Sequence, residues 1–377
     1  MTQGIAILGA GIFAKEAHLP ALATLGDAAP PLKAVYSRSE HSSKDLADAA
    51  SSTLKLDSPP SVYHDGDAAT DLDALLARSD ITAVIVVLPI TLQPSIILKA
   101  LAAGKHVLSE KPVAPDVKQG QDLIKTYEQE YKPKGLIWRV AENFEAEPGF
   151  RAAGDVVRSG KIGDVIFFKA VAANYIDKES KWYKTPWRTV PDYQGGFLVR
   201  YSKEYGGVHT IAALRTMLPG PLTHLSGFAS LNKDYLKPHD TIHAVVKSGD
   251  AFHGIVELTW AFPTPTRPQT DAFVITGSNG WLSVNQVSKP GSSPVLRIVV
   301  KSLHKHEGQA EVEKEEIIEV PSKGVAAELS SFFDKLAGKA DVVDLGEPVS
   351  ALEDVAFIQA ALNSNGQLVD LVKLVQS

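Results

Sequence analysis

Residues 4–14 read Gly4-Ile5-Ala6-Ile7-Leu8-Gly9-Ala10-Gly11-Ile12-Phe13-Ala14. The apolar run Ile5–Leu8 ends on glycine, and a helical pattern follows from about Phe13 to Leu25. Strand, glycine turn and helix in that order fit G-x-G-x-x-G/A, with Ala14 in the third place. Gly9 would allow the tight turn, and Gly11 would let a diphosphate approach the backbone. The helix start at Ile12 and Phe13 would offer N–H groups and a partial positive charge to that diphosphate. The stretch therefore predicts an α/β fold whose first turn binds a dinucleotide.

Outward from it, Leu32–Tyr36, Ala83–Leu88 and His106–Ser109 read as further strands. Ser43–Ser51, Asp71–Ala77, Pro94–Ala103 and Asp116–Tyr131 read as the helices between and after them. Apolar strands alternating with helices imply a parallel sheet covered on both faces. The pattern changes after about Lys134. A helix over Phe150–Ser159 leads into longer strands, from Val165–Ala173 to Val312–Val320, and several of them alternate apolar and polar residues. That alternation predicts a large, open, mostly antiparallel sheet with one covered face. Helices over Ala326–Leu336 and Val349–Leu362 come after it. The expected domains are a Rossmann NAD(P)-binding domain over 1–133 and a C-terminal α+β domain over 134–377.

Composition excludes several chemistries. The 377 residues include no cysteine, so there is no disulfide, thiolate nucleophile or Cys-ligated metal. Lys and Arg number 38 against 44 Asp and Glu, a net charge of −6 that argues against a nucleic-acid partner. The most apolar run, Ile81–Ile90, falls well short of the about 20 residues that a membrane helix needs. No basic stretch precedes the apolar residues near Gly4, so a signal peptide is not expected. The chain reads as a soluble cytoplasmic protein that borrows its redox chemistry from a cofactor.

The end of the second strand selects the nucleotide. An NAD site places Asp or Glu there for the ribose 2′-hydroxyl, and an NADP site places Arg. Tyr36 is followed by Ser37-Arg38-Ser39, with no acid before Glu40. Ser37 and Arg38 suit a 2′-phosphate, so NADP is favoured and NAD is the alternative.

Two further segments carry a resemblance. One is Ala102-Ala103-Gly104-Lys105-His106-Val107-Leu108-Ser109-Glu110-Lys111-Pro112, and the other is Gly206-Gly207-Val208-His209. With the glycine loop, they make the chain similar over essentially its whole length to the glucose–fructose oxidoreductase/inositol dehydrogenase (Gfo/Idh/MocA) family, in its fungal form. The resemblance implies an N-terminal Rossmann domain and a C-terminal domain that holds substrate and whose open sheet mediates oligomers, a homodimer being favoured here. It also implies hydride transfer to or from sugars, polyols and related small hydroxyl or carbonyl compounds with NAD(P).

Residue chemistry points the same way. Lys111 follows a strand ending at Ser109, at the carboxyl edge of the parallel sheet where α/β ligands bind. An ammonium there can stabilise oxyanion character and hold the nicotinamide ribose. His209 stands just after two glycines at a helix start, and histidine suits proton transfer near neutral pH. By resemblance, the turn carrying Leu88, Pro89 and Gln93 passes the nicotinamide ribose. Glu110 could receive hydrogen bonds from the cofactor or simply flank the lysine. Asn143, in the segment Trp138–Phe144, is a candidate substrate contact. Trp187 and Arg188, in a loop that also holds Trp182 and Tyr183, suit carbohydrate faces and hydroxyls and equally suit ordinary loop packing.

One segment departs from the family pattern. Relatives run from GGFL through a short pair ending in Asp into GGVH. Here Gly195-Gly196-Phe197-Leu198 is followed by Val199-Arg200-Tyr201-Ser202-Lys203-Glu204-Tyr205 before Gly206, so that Tyr205 stands where the acid is expected. Loss of that acid would remove the group that orients His209. Glu204 or Asp192 could replace it, or Tyr205 could itself supply the proton. This departure sustains a second reading, a catalytically impaired nucleotide sensor or regulator on the same fold. No metal site is expected. His239, Asp240 and His243 look like ligands, but i and i+4 on a strand lie about 13 Å apart. The acidic run Glu311–Glu319 reads as a solvent-facing strand edge.

Overall fold

The computed structural model describes residues 3–179, 183, 196, 206–288, 294–304 and 310–376. The chain divides into two compact units, Met1–Asn143 with Val325–Leu352, and Phe144–Gly324 with Glu353–Ser377. The expected boundary at 133/134 thus falls inside the first unit, to which a second, much later segment also belongs.

The first unit is built on a six-stranded sheet in the order β3-β2-β1-β4-β5-β6, every neighbour parallel. Its strands are β1 (Gly4–Leu8), β2 (Leu32–Ser37), β3 (Ser61–His64), β4 (Ile81–Val86), β5 (His106–Glu110) and β6 (Trp138–Ala141). β1 is buried throughout, and β4 nearly so, as parallel strands covered on both faces must be. The connecting helices are α1 (Leu19–Leu25), α2 (Glu40–Leu54), α3 (Leu72–Leu76), α4 (Gln93–Ala102) and α5 (Val117–Thr126). Asp71 and Asp116 cap α3 and α5 by accepting from backbone N–H groups three residues on. The helix expected from about Phe13 does begin at Ile12 and Phe13, and it then passes through a π-helical turn, Ala14–His18. β3 was not expected, because its half-buried residues lack an apolar run.

The Ala102–Pro112 motif is partly structural. Lys105 is buried, and its Nζ donates to the carbonyls of Arg78 (2.6 Å) and Ile81 (2.8 Å), with burial pushing its pKa down. His106 Nδ1 accepts from Ile137 N–H at 3.0 Å, which joins β5 to β6.

Phe144 opens the second unit. It includes α6 (Asn143–Ala146) from its second residue, α7 (Pro148–Arg158) and α8 (Gly207–Met217). Its nine-stranded sheet runs β14-β13-β12-β11-β7-β10-β9-β8-β15 and is antiparallel except where β7 meets β10. The strands are β7 (Val165–Ala173), β8 (His224–Ser230), β9 (Thr241–Ser248), β10 (Phe252–Thr259), β11 (Phe273–Gly277), β12 (Gly280–Val287), β13 (Val295–His304), β14 (Val312–Pro321) and β15 (Val369–Asp370). On β9 Ile242, Ala244 and Val246 are buried while His243, Val245 and Lys247 are exposed, so one face is covered and the other open. β14 is the acidic edge strand, tied to β13 by Arg297–Glu319 and by Lys301 with Glu313 and Glu315.

α9 (Gly324–Leu336) and α10 (Pro348–Asn363) carry the chain out of the second unit and back into it. Leu329, Phe332 and Phe333 of α9 join the core of the first unit with Ile5, Ile7, Val35 and Ile85. Buried Arg139 on β6 makes a two-bond fork to Asp344 at 2.8 Å, and it also meets Glu347 at 2.7 Å. Burial opposes the Asp344 charge, but hydrogen bonds from Arg139 and Lys335 prevail and hold its pKa at about 2. A carboxylate depressed from 3.8 to about 2 contributes stability above its unfolded value and loses it as pH falls through the folded one. Acid unfolding followed between pH 5 and 2 should therefore cost Asp344→Asn less stability than the wild type, the rest of the loss coming from other depressed carboxylates such as Asp80.

Candidate active site

The glycine loop sits where β1 ends beside β2 and β4. Gly9 has φ +117°, and a Cβ there would lie 2.0 Å from the Val87 carbonyl oxygen. Only glycine permits that turn. Gly11 is different, because a Cβ there would meet nothing within 4 Å. Its surface is open, as a backbone that receives a diphosphate must be. Ile12 and Phe13 are half-buried beside it.

Leu88 and Pro89 leave β4 half-buried and lead to Gln93, the first residue of α4. Gln93 is 1% exposed, and its side-chain carbonyl has no hydrogen-bond partner among the described residues. A buried polar atom left so is costly unless a ligand completes it. These features fit a dinucleotide whose diphosphate lies over Gly11 and whose ribose passes Gln93.

At the end of β2, Ser37 is half-buried and Arg38 exposed. Tyr36 donates its hydroxyl to Asp65 at 2.7 Å, and burial with that contact pushes the phenol pKa well up. Ser37 pairs with His64, the last residue of β3, and Asp65 opens the turn that follows. Asp65 is an acid held against β2 by Tyr36, which the reading of β2 alone did not reach.

Lys111 is half-buried and follows Glu110, the buried last residue of β5. Glu110 Oε1 lies 2.7 Å from Nε2 of His18, which is fully buried. The sequence reading did not single out His18. Its signal was a lone histidine on the apolar side of the first helix.

In the second unit, His209 lies in the first turn of α8 and is 1% exposed. Its ring stacks on Phe144, with centroids 4.7 Å apart. Gly206, the N-cap, provides no side-chain cap. Asn143, in the first unit, is half-buried. The Tyr183 hydroxyl donates to the Tyr235 carbonyl at 3.2 Å. Trp182, Trp187, Arg188, Asp192 and the segment 199–205, with Glu204 and Tyr205, lie outside the described residues.

The remaining clusters are structural. Asp240 is buried and accepts from the N–H groups of Asn232 and Lys233 at 2.9 and 2.7 Å. Arg215 meets Glu145 and Asp354 at 3.2 Å, a largely buried ion cluster between helices of one unit. No group of His, Asp and Glu among the described residues is arranged to hold a metal.

Comparison with known proteins agrees with this geometry. The family model "Oxidoreductase family, NAD-binding Rossmann fold" matches residues 3–133, and "GFO/IDH/MocA C-terminal domain" matches 150–283. Dehydrogenase FPY6 of Fusarium mangiferae is 38% identical, the match covering 96% of each chain. The chain belongs to the Gfo/Idh/MocA family. An oxidoreductase from Thermotoga maritima has the same fold, with TM-score 0.79 and 29% identity over 99% of this chain and 100% of its own. A Streptomyces violaceoruber dTDP-3,4-didehydro-2,6-dideoxy-alpha-D-glucose 3-reductase is 31% identical over 60% of this chain and 61% of its own. As a Gfo/Idh/MocA member the chain is an oxidoreductase with an NAD-binding Rossmann fold. No helix among the described residues is long and apolar enough to cross a membrane.

The contrast between the two glycines is testable. Gly11→Val should leave thermal stability nearly unchanged but weaken dinucleotide binding at least roughly 10-fold, since it fills the space the diphosphate needs. Gly9→Ala should instead lower the melting temperature. Calorimetric melting and titration with NADPH and NADH separate the two effects.

Proposed function

We propose that this chain is an NADP(H)-dependent oxidoreductase that transfers hydride to or from a sugar, polyol or related hydroxyl or carbonyl compound. The observation that carries the reading is the open cradle at Gly11 with the unpartnered Gln93 carbonyl beside the same sheet edge. NADP preference is supported by Ser37 and Arg38 at the end of β2, where no acid precedes Glu40. The sugar-like substrate class is supported by the dTDP-sugar reductase relative.

A bound nicotinamide supplies or accepts the hydride. Lys111 presents an ammonium at the end of β5, where it stabilises negative charge on the carbinol oxygen. His209 gives or takes the hydroxyl proton, and its packing on Phe144 fixes the ring plane. Glu110 and Gln93 hold the ribose end of the dinucleotide. Asn143, Trp187, Arg188 and Tyr205 contact the substrate, with Tyr205 standing where relatives place an acid. The enzyme acts in the cytoplasm, as a homodimer formed through the open face of the nine-stranded sheet. That face carries Phe167, Phe228, Val245 and Ile255, all exposed, on neighbouring strands.

The test is carbonyl-dependent NADPH oxidation over a panel of aldoses and keto-sugars. Lys111→Met should cut the rate roughly 10²- to 10³-fold while NADPH still binds. A full rate in that variant would contradict the assignment of Lys111. NADPH binding without turnover on any carbonyl in the wild type would favour the sensor reading. For the dimer, Val245→Glu with Ile255→Glu should halve the sedimenting mass.

A further inference from the structure

The sheet order reverses between β1 and β4. From β1 the chain goes to β2 and β3 on one side, and β4 is followed by β5 and β6 on the other. Ligands of such sheets bind in the crevice beyond the carboxyl ends at that reversal. The glycine loop lies on the β1 side, and Lys111 lies after β5, beyond β4. Between the helix that follows the loop and the end of β5, His18 Nε2 lies 2.7 Å from Glu110 Oε1.

Several features make this bond more than packing. His18 is 0% exposed and Glu110 7%, so water competes for neither. His18 ends the π-helical turn that follows the glycine loop, where Leu19 N–H bonds back to Ala14. Such turns are rare and recur at functional sites. The His18 ring also meets Phe13 of the loop edge-on, with centroids 5.4 Å apart. Glu110 is the residue immediately before Lys111. The imidazole thus touches the diphosphate loop on one side and the lysine-bearing turn on the other.

The tautomer follows from the partners. His18 Nδ1 is buried with no hydrogen-bond partner among the described residues. A tautomer with its proton on Nδ1 would bury an unpaired N–H donor there, whereas the Nε2 tautomer leaves only a lone pair. The proton therefore sits on Nε2 and is donated to Glu110.

We propose that His18 is a positioning residue, which through Glu110 sets the Lys111 turn at a fixed distance from the diphosphate loop. This rests on the dinucleotide reading above. The two halves of the coenzyme bind to different turns. A clasp between those turns lets the whole dinucleotide engage both without a further ordering cost. The adenosine half, bound at β1 and β2, gains nothing from it.

The test is calorimetric titration of the wild type, His18→Leu and His18→Gln with NADPH and with its adenosine half, 2′,5′-ADP. NADH and ADP serve as the matched second pair. His18→Leu should weaken NADPH roughly 10-fold and leave 2′,5′-ADP within about 2-fold. His18→Gln, whose amide can still donate to Glu110, should restore NADPH to within about 3-fold of wild type. His18→Phe, which keeps an aromatic ring but no donor, provides the same comparison should His18→Leu fail to fold, and it should weaken NADPH selectively. Histidine ¹⁵N NMR of the ligand-free wild type should show the His18 proton on Nε2. Equal weakening of both ligands, weakening of neither, or a proton on Nδ1 would overturn the proposal. A wild type that binds none of the four ligands would instead refute the dinucleotide reading.

Discussion

The first unit depends on one close backbone approach. Where β1 turns into its helix, Gly9 passes so near the Val87 carbonyl that no side chain fits. The contact sets the end of β1 against the end of β4, and the sheet order reverses there. Had that turn been wider, the helix start would swing away from the sheet edge, and Gly11 would no longer offer bare backbone over the crevice. A steric fact about one glycine thus fixes where a diphosphate can bind. The residues that follow β4 and β5, Gln93 and Lys111, are placed by the same sheet.

A second level of order is polar. The central strands β1 and β4 of the first unit are almost wholly apolar, and the polar side chains buried around them carry specific duties. Lys105 ties β5 back to the turn before β4, Arg139 holds the returning segment at Asp344 and Glu347, and His18 joins two binding turns. Each is fully or nearly buried, where a polar group without a partner is expensive. They give the apolar core register and direction. In the second unit, Arg215 with Glu145 and Asp354 has the same part between helices.

Much of this was legible in the sequence, for local reasons. The β1 turn is a contiguous pattern, and the strands of both sheets declare themselves by apolar runs or alternation. β3 escaped because Ser61–His64 is short, half-buried and polar. The membership of 325–352 in the first unit escaped because it rests on contacts such as Arg139–Asp344, 205 residues apart, which no local pattern encodes. His18 escaped because a single histidine in a helix has many meanings until Glu110 is seen beside it. In the candidate site, the glycines and Lys111 could be read from motif and position, and Gln93 only from the family resemblance. Asp65 could not, since its contact with Tyr36 comes from the pairing of β2 with β3.

The account makes the chain a hydride-transfer enzyme rather than a nucleotide-dependent regulator. The most direct measurement is transfer of deuterium from NADPH labelled at C4 of the nicotinamide, followed by NMR or mass analysis of the sugar product. The account predicts one deuterium at the carbinol carbon formed from the carbonyl. Tight NADPH binding with no label in any product, across aldoses, keto-sugars and nucleotide-linked keto-sugars, would contradict it.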